Sequence, residues 1–239
     1  MQNNKLVIFD IDGTLIRAAR IERNLQRFRH AVLTVFHHDI GVVSENLWKE
    51  RNYNGNGDRL ILWDLVQPIG VGRDEFLDRL VDLGDALVSY LDSIQSEGAS
   101  YEVIPDAKKL LEKVIAAPHL SLGVLTGNIG IAASWKLRIT GLPDIAFGVY
   151  GHEADERDDL ARLIFPKAEA YYGHSVKAED IIIVGDTVHD VRCAKAIGAQ
   201  CIIVSTGWNV QREDIEKEQP TLLVDSLLDS TVLSLLGLT

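Results

Sequence analysis

Five short apolar runs recur along the chain, each too brief for a helix and together rich in β-branched residues and leucine. They are Leu6–Phe9, Leu120–Leu125, Ile181–Val184, Cys201–Val204 and Leu222–Val224. Runs of this kind read as strands covered on both faces, because a strand with one wet face alternates polar and apolar residues instead. Between them, Asp106–Ile115, Ile129–Ile139, Asp158–Tyr172 and Val188–Ile197 show helical spacing. Pro105 suits the first turn of the helix that follows it, and Gly141 and Gly198 stand where helices stop. Strand–helix repetition predicts an α/β fold: a parallel sheet flanked by helices on both sides.

One long stretch breaks this rhythm. From Arg17 to Ala99 the pattern is helical throughout, over Ile21–His38, Ser44–Glu50, Asp58–Val66 and Asp74–Ser96, with no buried-strand run inside it. Strand-like sequence on both sides makes it an insertion between the first and second strands. The expected division is an α/β core of residues 1–16 and 100–239 and an all-helical unit of residues 17–99, with Gly98 and Pro105 near the return to the core.

The charge balance narrows the function classes. With 24 Lys+Arg against 35 Asp+Glu the formal net charge is -11, a field that repels nucleic acid and anionic lipid. No nucleic-acid or membrane partner is therefore expected, whereas a small anion met by a metal or a few local donors is compatible with it. Leu6–Phe9 is too short for the apolar region of a signal peptide and is closed by Asp10, and Cys193 and Cys201 read as reduced core thiols. A soluble, cytoplasmic protein is the expectation.

The chemistry gathers where the apolar runs end. The first ends in Asp10-Ile11-Asp12-Gly13-Thr14, and residues two apart on an extended chain point to one side. Two adjacent carboxylates repel unless a cation neutralises them or one is protonated, which suits either a Mg²⁺ site or an acid–base catalyst beside a nucleophile. The second ends in Thr126-Gly127-Asn128 at a helix start, which is either an anion cradle or a helix cap. The third ends in Gly185-Asp186-Thr187-Val188-His189-Asp190. Asp10 and Asp186 are hard oxygen donors of the kind Mg²⁺ prefers. Open α/β sheets bind their ligands at this strand edge.

The runs D-x-D-G-T, T-G-N and G-D-x-x-x-D, in this order at strand ends, resemble motifs I, II and IV of the haloacid dehalogenase superfamily, and among its members the phosphoglycolate-phosphatase-like phosphohydrolases. The resemblance covers nearly the whole chain. It implies a Rossmann-like core, with residues 17–99 as a cap of the C1 type, and a Mg²⁺-dependent phosphatase acting on a small phosphorylated metabolite, phosphoglycolate first, as a monomer or homodimer. By the same resemblance Asp10 is the nucleophile that forms an aspartyl-phosphate, and Asp12 is the acid for the leaving alcohol and then the base for water. Asp10, the backbone carbonyl of Asp12 and Asp186 hold Mg²⁺, with Asp190 supporting them. Thr126, Gly127 and Asn128 bind the phosphoryl group.

The usual lysine of motif III, followed by proline, is missing. Arg157, in Asp155-Glu156-Arg157-Asp158, stands at about the right distance before Asp186 and is expected in its place; Lys167 lies too close to the third motif. In the inserted unit, Asn54-Gly55-Asn56-Gly57-Asp58-Arg59 resembles a glycine-containing substrate loop, with Arg59 either meeting a substrate carboxylate or standing exposed at a helix start. His189 flanks the metal site without binding, and Trp48, Trp63, Trp135 and Trp208 read as packing. A mutase of the same superfamily would share the core residues. A receiver-like phosphate sensor is disfavoured by Asp12, since a long-lived switch has no use for a hydrolytic base. A P-loop protein is excluded because no Gly-Lys pair occurs.

Overall fold

The computed structural model describes residues 4–19, 24–51, 53, 55–95, 101–206 and 211–238. Ile21, Asn54, Gly98, Ala99 and Trp208, to which the sequence gives roles above, lie outside the described residues. Six parallel strands form the main sheet, in the order β5-β4-β1-β6-β7-β8. They are β1 (Lys5–Phe9), β4 (Leu120–Thr126), β5 (Phe147–Tyr150), β6 (Ile181–Gly185), β7 (Gln200–Val204) and β8 (Leu222–Val224). Five are the apolar runs read from the sequence. β5 is an addition: its apolar residues are interrupted by Gly148, and as an edge strand of four residues it gives too little pattern to read.

The two faces of the sheet are sorted by the two-residue period of a strand. Val7 and Phe9 of β1, Ile182 and Val184 of β6, and Ile202 and Val204 of β7 point into one apolar layer. That layer is closed by α6 (Ala107–Ala116), α7 (Gly130–Ile139) and α11 (Ser230–Leu236). Leu6, Ile8, Ile181, Ile183, Cys201 and Ile203 enter the opposite layer, under α8 (Arg157–Tyr172), α9 (Val188–Ile197) and α10 (Arg212–Lys217). Two buried faces on the same strands are what an uninterrupted apolar run requires.

A short antiparallel ribbon of β2 (Ile16–Ala18) and β3 (Tyr101–Val103) stands where the inserted segment leaves and rejoins the core. Arg17 and Glu102, opposite each other, form an exposed ion pair of 3.0 Å across it. Between these strands lie α1 (Asn24–Phe36), α2 (Gly41–Glu50), α3 (Asp58–Val66), α4 (Arg73–Asp78) and α5 (Leu80–Gln95). The single helix expected over Asp74–Ser96 is thus two, divided at Arg79, which leaves helical geometry at φ -99°, ψ 7°. These helices enclose a third apolar cluster around Phe28, Leu62, Leu65, Phe76, Leu83 and Leu87.

Phe76 is fully buried in that cluster, its ring 5.3 Å from Trp63. Truncating a buried aromatic side chain removes its transfer energy and leaves a cavity. Phe76→Ala is expected to lower stability by about 3–5 kcal/mol, seen as an earlier urea midpoint by circular dichroism; an unchanged midpoint would show that the helical unit can collapse around the gap.

Candidate active site

The three strand ends singled out in the sequence are neighbours, because β4, β1 and β6 lie side by side at the centre of the sheet. Their carboxyl ends open into a cavity of about 230 Å³ between the sheet and the helices α1–α3, lined by Asp10, Asp12, Thr126, Gly127, Asn128, Arg157 and Asp186 from the core.

Gly13 makes the turn after β1 possible. It has φ +88°, a left-handed conformation costly for other residues, and a side chain there would drive into the Asp186 carboxylate. The turn is tied by hydrogen bonds from Gly13 N to the Ile16 carbonyl (2.7 Å) and from the Thr206 hydroxyl to the Gly13 carbonyl (2.6 Å). The Thr14 hydroxyl donates to Asp186 Oδ1 at 3.1 Å. These contacts hold Asp10 and Asp186 close enough that, with Asp190, each offers an oxygen within 4.8 Å of the others.

The three acids are not equivalent. Asp190 is fully buried and both of its oxygens are engaged. Its Oδ2 accepts from Asp186 N (3.2 Å), Thr187 N (2.9 Å) and the Thr187 hydroxyl (2.7 Å), and its Oδ1 accepts from Arg157 Nη2 (2.8 Å). Asp10, in contrast, keeps Oδ1 buried with no hydrogen-bond donor among the described residues. Burial, and then the nearby charge of Asp190, push its pKa up to about 7, while Arg157 pulls the other way. Asp186 is raised too, first by burial and then by Asp190 and Asp10. An orphaned carboxylate oxygen beside a second strained carboxylate is what a divalent cation corrects, so the residues present fit Mg²⁺.

Asp12 has the opposite environment. Lys136 Nζ donates to both of its oxygens, at 2.8 and 2.6 Å, and Asn128 Nδ2 donates to Oδ2 at 2.6 Å. Burial raises the Asp12 pKa, yet Lys136 and the two donors outweigh it and leave the carboxylate below its usual range. Lys136 also donates to Asn128 Oδ1 at 2.7 Å, which fixes which way the carboxamide faces; Asn128 Nδ2 then reaches the Thr126 hydroxyl oxygen at 2.8 Å. The sequence reading passes over Lys136. A signal was available: on α7 it shares a stripe with Ala132, Ala133 and Leu137, all buried, and a lysine on such a stripe needs an anion.

The remaining expectations separate. Arg157 lines the cavity beside Asp190, close enough to Gly127 that a side chain on that glycine would meet Nη1 at 2.9 Å. Lys167 is elsewhere, paired with Glu153 at 2.6 Å. Arg59 is not among the residues that line the cavity: Nη1 donates to the His152 carbonyl (2.8 Å) and Nε faces Asp155 (2.9 Å), which draws it to the rim between helix α3 and the core. His189 packs against the inserted unit: a side chain on Gly55 would meet its ring at 2.6 Å. Trp63 and Trp135 pack on Phe76 and Tyr101, whereas Trp48, beside Phe28 and Tyr53, also forms part of the cavity wall.

A profile of the haloacid dehalogenase-like hydrolases matches residues 4–198. The chain belongs to that family. Among curated relatives, it is 27% identical over 241 residues to phosphoglycolate phosphatase 1 of Pseudomonas aeruginosa, covering 94% of this chain and 78% of the relative. It is 30% identical over 211 residues to the phosphoglycolate phosphatase of Rhodospirillum rubrum, covering 86% and 81%. Kinship of this extent makes it a phosphatase of the family. In fold it resembles CbbY of Rhodobacter sphaeroides, solved with phosphate, at a TM-score of 0.64, 18% identity and coverage of 94% and 95%. A predicted phosphatase of Clostridium acetobutylicum gives 0.64, 18%, 98% and 99%. Among the described residues no helix is long and apolar enough to cross a membrane.

The raised Asp10 pKa has a consequence for stability. A carboxyl whose folded value of about 7 exceeds the ordinary 3.8 stabilises the fold fully below the ordinary value, and that contribution is lost as pH rises through about 7. In chelator, the melting temperature is expected to fall progressively between about pH 4 and pH 7. Asp10→Asn at the upper pH should then be more stable than the parent by on the order of 2–4 kcal/mol. A flat parental profile would place the Asp10 ionisation outside this window.

Proposed function

We propose that the enzyme hydrolyses a small phosphate monoester, phosphoglycolate first among candidates, with Asp10 as covalent nucleophile. The observation that carries this reading is the buried Asp10 Oδ1, unpartnered among the described residues, on the floor of a cavity that Thr126 and Asn128 also line. Asp10 attacks phosphorus, the ester bond to the leaving oxygen breaks, and an aspartyl-phosphate results. Asp10, the Asp12 backbone carbonyl and Asp186 would hold Mg²⁺, which when bound offsets the repulsion between carboxylate and phosphate dianion.

The other residues divide the work by their surroundings. Asp190 spends its oxygens on the loop after β6 and on Arg157, so its part is to fix that loop and guanidinium. Arg157, between Asp190 and the cavity, takes the place of the family's motif III lysine and faces the transferred group. Thr126, Gly127 and Asn128 cradle that group. Asp12 and Lys136 act together: the pair carries a proton at rest on Nζ, passes it through Asp12 to the leaving oxygen, and Asp12 then takes one from the attacking water. Phosphoryl transfer asks little covalent chemistry beyond this, only positioning and charge neutralisation.

Phosphate release from phosphoglycolate with added Mg²⁺ is the direct test. Asp10→Asn is expected to lower turnover roughly 10³-fold or more, and acid quenching during turnover should leave phosphate on the peptide that contains Asp10, read by mass. Turnover persisting in Asp10→Asn would remove the covalent route. Asp12→Asn should slow turnover about 10²–10⁴-fold. Lys136→Met should bring the basic limb of the rate profile down, because the proton for the leaving oxygen then rides on Asp12 alone; an unmoved limb would detach Lys136 from the chemistry.

A further inference from the structure

We infer that Arg27, on helix α1, is the receptor for a second oxyanion on the substrate, and that it selects phosphate monoesters carrying a carboxylate or second phosphate at their other end. The inference rests on the phosphatase reading for the transferred group and adds what occupies the opposite wall.

Arg27 lines the same cavity as Asp10 and Asn128, yet it is only 8% exposed. One edge of its guanidinium is settled: Nη2 donates to Asp58 Oδ1 at 3.1 Å. The other Asp58 oxygen accepts from Ile129 N at 3.0 Å. Phe28 lies under it, with its ring centroid 4.3 Å from Cζ. Nε and Nη1 have no acceptor among the described residues.

Buried N–H groups of a charged side chain are costly to leave unpaired, and guanidinium matches oxyanions better than it matches single neutral acceptors. The other carboxylates that line the cavity act on Arg27 at most through space, as Asp12 does, and none accepts from Nε or Nη1. Asp12 gives both oxygens to Lys136, and Asp10 and Asp186 belong to the opposite floor. The cavity volume of about 230 Å³ admits a small two-ended molecule, with its phosphate at the strand ends and its second charge against α1. Arg59, which the sequence leaves as either a carboxylate contact or an exposed residue at a helix start, is held at the rim by Asp155 and the His152 carbonyl.

The test compares two ligands that differ in that charge alone, phosphoglycolate and 2-hydroxyethyl phosphate. Their affinities are measured calorimetrically with Mg²⁺ in an Asp10→Asn background, so that binding is read without turnover. The acid is expected to bind roughly 10- to 100-fold tighter than the alcohol. Arg27→Met should bring that ratio close to one, and Arg27→Lys, which keeps a cation for Asp58 but loses the planar fork, should give a ratio between the two. Because each ratio is taken within one variant, a general loss of stability cancels from it. The bisphosphate of ethylene glycol, run alongside, separates the sources of charge: Arg27-dependent tightening for either anionic end, carboxylate or phosphate, supports the inference and says which end is read. A parental ratio near one, or a ratio that survives in Arg27→Met, overturns it. Failure of the phosphatase reading would appear separately, as absent phosphate release from the unmodified enzyme.

Discussion

Like charge crowded at the end of two adjoining strands is the constraint around which the molecule is arranged. Three carboxylates, from Asp10, Asp186 and Asp190, share a space less than 5 Å across, inside a sheet whose faces are both apolar. Each is answered differently. Asp190 is satisfied by three loop donors and a guanidinium, Asp186 by the Thr14 hydroxyl in part, and Asp10 keeps an oxygen without a donor among the described residues. Buried charge of this sort works against stability, and the large apolar layers on each side of the sheet are what make it tolerable.

A second acid, two residues along the same turn, is driven the other way. Asp12 and Asp10 have the same side chain and neighbouring positions, but Lys136 and Asn128 hold Asp12 charged while burial and Asp190 hold Asp10 toward neutrality. Like groups held apart in acidity can take different parts in one reaction. The separation originates in a helix: α7 carries both the carboxamide at its entrance and the ammonium two turns later, so one rigid element sets both contacts.

Much of this was legible in the residues. Asp10, Thr126 and Asp186 stand at the ends of apolar runs beside glycine, and that local signature survives folding because parallel strands bring like ends together. What escaped was non-local. Lys136 has meaning only opposite Asp12, and Arg27 only opposite Asp58 and the cavity, partners with no fixed spacing in the chain. β5 escaped because Gly148 divides its short run, and the ribbon of β2 and β3 because three residues carry no period. Arg59 shows the same limit: its local position, at the start of α3, says nothing of the Asp155 carboxylate at the rim. Gly57 gains its reason only from the fold, since it lies against the backbone of Gly127 and a side chain there would press on the Gly127 carbonyl at 3.2 Å.

Asp58 joins these strands of argument. One of its oxygens steadies the guanidinium above the cavity, and the other fastens to the peptide nitrogen of Ile129, while its own backbone nitrogen donates to the Gly127 carbonyl at 2.7 Å. A single short side chain therefore serves as bolt and as sighting bracket. Any separation of α3 from the strand ends would break both contacts together. Reading a ligand's far end at Arg27 and sealing the pocket at Ile129 would on that wiring be a single event, not two in succession.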